Sequence, residues 1–297
     1  MLDYRMDTFL SLCETKSYTR TAECLHLTQP SVTQHIKYLE QFYQCQLFRY
    51  DGRRVELTEA GQYLQDKMIL QRARDAEIRK RLNRLEEDVP LDIGLTPTVA
   101  FSPLLKPLCP YMHTAADPRV KLHVADTRQL LRRMQNGMLD AVIVEGDIPD
   151  MLVEATELHR EKIIAATCPA LAEQLYGCTW QQLMHQPLIL MESGCGLRTL
   201  VQQNLSSRGI SLYDFADVLE VDSFTILKEQ LRQGDGIAFL FESTVARERA
   251  EHDLKRIYID TPSMYGTIYF VSMRERLEQE PLVRLRDALA AAVLPQK

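Results

Sequence analysis

The sequence contains no apolar run approaching the roughly 20 residues that cross a bilayer, and its first stretch, MLDYRMDTFLSLCETKSYTR, sets charges among its apolar residues, unlike a secretory signal. A cytoplasmic protein with no membrane partner is the expectation. Its cysteines, Cys13, Cys24, Cys45, Cys109, Cys168, Cys178 and Cys195, are odd in number and scattered, with no CxxC pair. The histidines, His26, His35 and His159 among them, show no ligand spacing. Neither a disulfide frame nor a metal is expected, and the thiols read as reduced and mostly core-filling. A Gly-rich phosphate loop, a G-x-S-x-G elbow and an HExxH pair are all missing, so no cofactor and no catalytic nucleophile can be assigned. An enzyme built on the later α/β part is therefore a weaker reading, and an exported solute-binding protein is contradicted by the missing signal. Excess positive charge is lacking as well: the net charge is −6 and the pI about 5.7, which argues against a protein that coats nucleic acid. Residues 1–57 carry seven Lys and Arg against seven Asp and Glu. Any DNA contact there must gather its cations on one face.

What is present begins with helical periodicity. Phe9, Leu10 and Cys13, then Ala22 and Leu25, then Val32, Ile36 and Leu39 recur at three-to-four spacing in three short blocks, which predicts a three-helix unit. Thr28 suits the N-cap of the third helix, and Pro30 is tolerated in its first turn because the amide it lacks would have no intrahelical acceptor. Phe48–Tyr50 and Arg54–Leu57 flank Asp51–Gly52, a dipeptide made for a tight hairpin, and this hairpin reads as a wing. From Thr58 to about Glu87 there is no proline and one glycine, predicting a single long helix whose Ile78, Leu82, Leu85 and Val89 form a stripe suited to a partner helix.

After Pro90 the pattern changes. Short apolar stretches, Leu91–Leu95, Val120–Ala125, Asp140–Val144, Lys162–Thr167, Leu188–Met191, Gly236–Phe241 and Thr267–Ser272, alternate with helical ones. That alternation predicts an α/β domain with mainly parallel sheets, as one domain or two lobes. No repeat or low-complexity tract interrupts it.

The run from Ser17 to Glu40, SYTRTAECLHLTQPSVTQHIKYLE, followed by Leu47–Phe48–Arg49 and by Leu57–Thr58–Glu59–Ala60–Gly61, resembles the LysR-type transcriptional regulators in order and spacing. The remainder resembles that family more loosely through LDIG at 91–94, DPRV at 117–120, GMLDAVIV at 137–144, SGCGLR at 193–198 and GDGIA at 234–238. One departure is Tyr43–Gln44, where the family usually has Leu-Gly. The resemblance implies an all-α winged helix-turn-helix (1–58), a linker and dimerisation helix (59–89), and a two-lobed, periplasmic-binding-protein-like α/β effector domain. Lobe I is expected over 90–161 and 267–297 and lobe II over 162–266, with chain crossings near 161 and 266. It also implies double-stranded operator DNA, a small-molecule effector between the lobes, a homodimer through the linker helix and a homotetramer.

The residues support the same chemistry on their own terms. Thr28, Gln29, Pro30, Ser31, Thr33, Gln34 and Lys37 lie on the outer side of the third helix; a glutamine can pair with adenine through two hydrogen bonds, and hydroxyls can reach bases or phosphates. Taken alone, that face is an ordinary solvated one. Three helices, a tight turn and a hairpin bearing Arg49, Arg53 and Arg54 in series turn it into a DNA-reading unit. For the effector, Thr96 and Thr98 follow a strand end, where hydroxyls and free helix amides suit an anion, although Ser and Thr there are equally expected as caps. Glu145 and the Ser193, Cys195 and Arg198 stretch end two other strands facing the same cleft. Two carboxylates, Glu145 and Glu192, repel an anion unless they point away or pair with Arg198, so a zwitterion or amine-bearing ligand stays open beside an anion. Cys195, between glycines and near Arg198, admits a redox-sensing alternative through a lowered thiol pKa, though no later cysteine follows to resolve it.

Overall fold

A computed structural model describes residues 3–50, 55–84, 90–113, 118–146, 148, 153–259, 263–276 and 279–293. The chain divides into two compact units, one of Met1–Val89 with Gln135–Met138 and the other of Pro90–Met134 with Leu139–Lys297.

In the first unit, α1 (Tyr4–Thr15), α2 (Tyr18–Leu25) and α3 (Gln29–Tyr43) are followed by strands β1 (Phe48–Tyr50) and β2 (Val55–Leu57) and by α4 (Glu59–Arg84). Side-chain caps start the three helices: Asp3 accepts from the Arg5 amide, Ser17 from that of Arg20 and Thr28 from that of Ser31. They stop without glycine. Lys16, His26 and Gln44 each take a left-handed φ of 52° to 54°, so the turn at Tyr43–Gln44 is an ordinary left-handed cap borne by a glutamine. Phe9, Leu10, Leu12, Ile36, Leu39 and Leu47 fill the core between the helices and the wing. Glu40 Oε1 accepts from the Leu47 amide at 2.9 Å, tying α3 to the hairpin. A Cβ at Gly61 would collide with the Leu47 carbonyl, so glycine there lets α4 start against the wing.

The second unit contains β3 (Leu91–Leu95), α5 (Pro97–Ala100), α6 (Leu105–Leu108), β4 (Val120–Val124), α7 (Thr127–Gln135), β5 (Ala141–Glu145), β6 (Val153–Thr167), α8 (Pro169–Gln174), α9 (Trp180–Met184) and β7 (Leu188–Met191). It continues with α10 (Gly196–Ser206), β8 (Val218–Val221), α11 (Phe224–Gln233), β9 (Ala238–Phe241), α12 (Ala246–Ala250), β10 (Lys255–Ile257), β11 (Met264–Met273) and α13 (Glu280–Val293). One sheet has the order β10-β6-β11-β5-β3-β4, with β9 also on β6; β7 and β8 form a separate pair.

The expectation of mainly parallel sheets is corrected here. β3 is parallel to β4 and β5, and β7 to β8, but β11 runs antiparallel to β5 and β6, and β6 antiparallel to β9 and β10. The cause is the pair of long strands joining the lobes. The first half of β6 pairs with the end of β11 that also pairs with β5, while its second half, Ile163–Thr167, pairs with β9 and β10. A register shift at Ile268/Tyr269 lies between the two halves. Two lobes thus share continuous strands. A buried Asp140–Arg276 pair (2.7 Å), with Asp140 also accepting from the Asp92 amide, ties the starts of β3 and β5 to the segment after β11.

Candidate functional sites

The outer face of α3 is built by burying the opposite one. Val32, Ile36 and Leu39 are buried, which leaves Thr28, Gln29, Pro30, Gln34 and Lys37 exposed and Ser31 and Thr33 half-buried. Three hydroxyls are already engaged locally: Thr28 Oγ1 with Ser31 Oγ at 2.8 Å, and Thr33 Oγ1 donating to the Gln29 carbonyl while accepting from Gln29 Nε2. Gln34 and Lys37 make no side-chain hydrogen bond among the described residues, so their donors are available to an outside partner. On the hairpin Arg49 reaches across to Glu56 at 2.9 Å, both side chains remaining well exposed. Such an exposed pair is worth about 0–1 kcal/mol and yields easily to a phosphate. Arg53, Arg54 and the Asp51–Gly52 turn lie outside the described residues.

Along α4, Ile78 and Leu82 stand exposed one turn apart, whereas Leu64 and Ala73 are buried. The other two stripe positions, Leu85 and Val89, and the end expected at Glu87 lie outside the described residues; the described helix starts at Glu59 rather than Thr58 and runs to Arg84.

In the second unit the expected effector residues do come together, but not as an open cleft. Thr96 caps α5, accepting from the Val99 amide, and donates to Glu145 Oε2 at 2.6 Å. Glu145 is fully buried, and its Oε1 accepts from the Leu197 amide at the start of α10 (3.2 Å). Burial pushes its carboxyl pKa up, against the lowering effect of those hydrogen bonds. Thr98 Oγ1 is buried beside it, next to the Glu145 carboxyl and the Cys195 thiol. Cys195 is buried too, and burial together with the Glu145 carboxyl pushes its thiol up to about 11. That reverses the lowered pKa on which the redox alternative rested, and the Arg198 guanidinium reaches the Met191 carbonyl and Glu220 rather than Glu145 or Glu192. The wider expectation for the thiols is corrected as well: Cys13, Cys178 and Cys195 are buried, but Cys24 and Cys109 are exposed.

Beyond this sealed floor is a pocket of about 260 Å³ between the starts of α7 and α10. Ser193, Arg198 and Glu145 line it, together with Thr127, Arg128 and Gln202, which were not among the expected effector residues. Thr127 Oγ1 is buried and unpartnered. The available signal was positional: Thr127–Arg128 follows the carboxyl end of β4 and opens a helix, as Thr96–Thr98 does after β3. Among the described residues no group of side chains could hold a metal ion, and no helix is long and apolar enough to cross a membrane.

A winged helix-turn-helix and a two-lobed α/β unit with a pocket between its lobes define a DNA-binding regulator with an effector domain. Residues 4–62 match the model of the bacterial regulatory helix-turn-helix protein, lysR family, and residues 86–293 that of the LysR substrate binding domain. The chain belongs to the LysR family of transcriptional regulators and is not an enzyme. It is 27% identical over 287 residues to a "Probable RuBisCO transcriptional regulator" of Nostoc sp., covering 94% of this chain and 84% of that one. It is 30% identical over 260 residues to the uncharacterized regulator YwqM of Bacillus subtilis, covering 84% and 85%. Full-length LysG from Corynebacterium glutamicum, solved with bound effector Arg, shares the fold at a TM-score of 0.53 and 22% identity, covering 99% of this chain and 98% of that one.

Proposed function

We propose that this regulator reads its operator with Gln29, Gln34 and Lys37, helped by Thr28, Pro30, Ser31 and Thr33 at the start of α3, and holds phosphates with Arg49, Arg53 and Arg54 of the wing. The exposed polar side of a helix whose inner side is locked into a core supports this reading, because a rigid recognition helix presents its donors at fixed spacing. Two copies pair through α4, supported by the exposed Ile78 and Leu82, and two such dimers make a tetramer.

The effector is a small anion or zwitterion seated in the pocket between α7 and α10. The observation that carries this is the unpartnered, buried Thr127 Oγ1 beside Arg128, a ready hydrogen bond and a ready cation at one mouth. Ser193 and Gln202 complete the polar wall; Thr96 and Thr98 act from behind through Glu145. Lobe I comprises 90–161 and 267–297 and lobe II 162–266, so ligand binding changes how the lobes stand about β6 and β11. A thermal-shift screen of the full chain against metabolites identifies the effector. With it, Arg128→Ala and Ser193→Ala are expected each to weaken binding about tenfold, as for one lost hydrogen bond to a charged group, and to leave effector-free DNA binding nearly intact. Unchanged affinity in both variants moves the effector to another surface.

A further inference from the structure

The deepest polar position between the lobes is filled by the chain itself. The Glu145 carboxyl comes from the end of β5 in lobe I, is anchored there by the Thr96 hydroxyl at 2.6 Å, and accepts the Leu197 amide of α10 in lobe II at 3.2 Å. A helix start with free amides attracts an acceptor group. Here α10 has no side-chain hydrogen bond from its own N-cap residue, Cys195, and Glu145 supplies the missing acceptor from across the cleft. The backbone around it is shaped for that approach. A Cβ on Gly196 would collide with the Glu145 carbonyl and come within 2.8 Å of Thr127 Oγ1, and one on Gly146, whose φ of 96° itself favours glycine, would come within 3.2 Å of Gly196. A second contact between the lobes, Phe101 stacked on Phe224 at 5.0 Å between ring centres, has Lys228 over both rings.

We infer that Glu145 is a built-in inter-lobe ligand: it caps α10 from lobe I and holds the lobes together before any effector arrives. Glu145 is a positioning residue in this scheme. The groups around it are Thr96 and Thr98 of the α5 turn, Cys195 and Arg198 of the α10 start, and Asp126, Thr127 and Arg128 where α7 begins; Arg198 is held by Glu220, and Asp126 caps α7 through the Gln129 amide. Leu95 and Ile268 of the neighbouring strands bring no charge. The regulatory consequence rests on the effector reading above: a ligand in the outer pocket acts by loosening or reinforcing a tie that already exists.

The tie is tested without any effector, by hydrogen exchange of the full chain, so the result stands apart from whether the outer pocket binds a metabolite. In Glu145→Ala, amides in the first turn of α10 are expected to exchange at least about tenfold faster than in the wild type, while β6 and β11 keep their protection. Glu145→Gln keeps an acceptor oxygen for the Leu197 amide and is expected to restore protection to within about threefold of wild type. Gly196→Ala leaves the carboxyl intact but pushes the lobes apart at the same point, and is expected to match Glu145→Ala. Wild-type protection of the α10 start in both alanine variants overturns the inference. So does a Gln variant that exchanges as fast as the Ala variant while β6 and β11 remain protected.

Discussion

Phe9→Ala is expected to destabilise the DNA-binding unit by about 3–5 kcal/mol, the range for emptying an aromatic site in a packed core. Phe9 is completely buried, packs on Phe48 of the wing at 5.5 Å between ring centres, and shares a core with residues of α1, α3 and the start of α4. A small unit has a total stability of roughly 5–15 kcal/mol, so a loss of this size removes most of its margin. Calorimetry is expected to show the first unit melting well below its wild-type temperature and the second melting unchanged, since Phe9 contributes nothing to the second core. DNA binding at 37 °C is lost with it. A shift below about 1 kcal/mol would mean that the core can close over the missing ring.

Leu82→Asp is expected to break the pairing of two copies proposed for α4. Ile78 and Leu82 are exposed one turn apart on a long helix otherwise rich in Arg, Glu and Gln, and a carboxylate placed in their seam must be buried without a partner or force the helices apart. Losing one of two linked recognition helices costs avidity of roughly 10²–10⁴ in DNA affinity. Sedimentation of the purified variant should therefore show a lower mass, and its DNA affinity should fall at least about a hundredfold. If neither changes, the proposed pairing through α4 is wrong.

Much of this was readable from residue order because the signals were local. Thr28 announces a helix start, Pro30 fits the first turn of α3, and the spacing of Val32, Ile36 and Leu39 separates the inner face from the outer one. The strand Leu188–Met191 stands where a continuous apolar run placed it, and Leu91–Leu95 where a short apolar stretch follows Pro90. The first half of β6 was not legible, because V-E-A-T-E-L-H-R-E alternates too many polar residues to stand out. β8 and β10 were missed for their brevity. Thr96, Thr98, Glu145 and Cys195 lie together, and their burial depends on Gly196 and Gly146 bringing two distant stretches into contact, which no local pattern encodes. The same long-range packing sends Arg198 to Glu220 and creates the Thr127–Arg128 mouth.

Base reading by α3 is tested by a paired titration of the full-length protein on the DNA upstream of its own gene and on a scrambled duplex of equal length, at one salt concentration. Wild type is expected to prefer the upstream DNA. Gln29→Ala and Gln34→Ala are each expected to lose about 1–3 kcal/mol on it while changing binding to the scrambled duplex by less than about twofold, because base contacts go and phosphate contacts stay. Equal weakening on both duplexes, or no wild-type preference, would contradict base reading by α3.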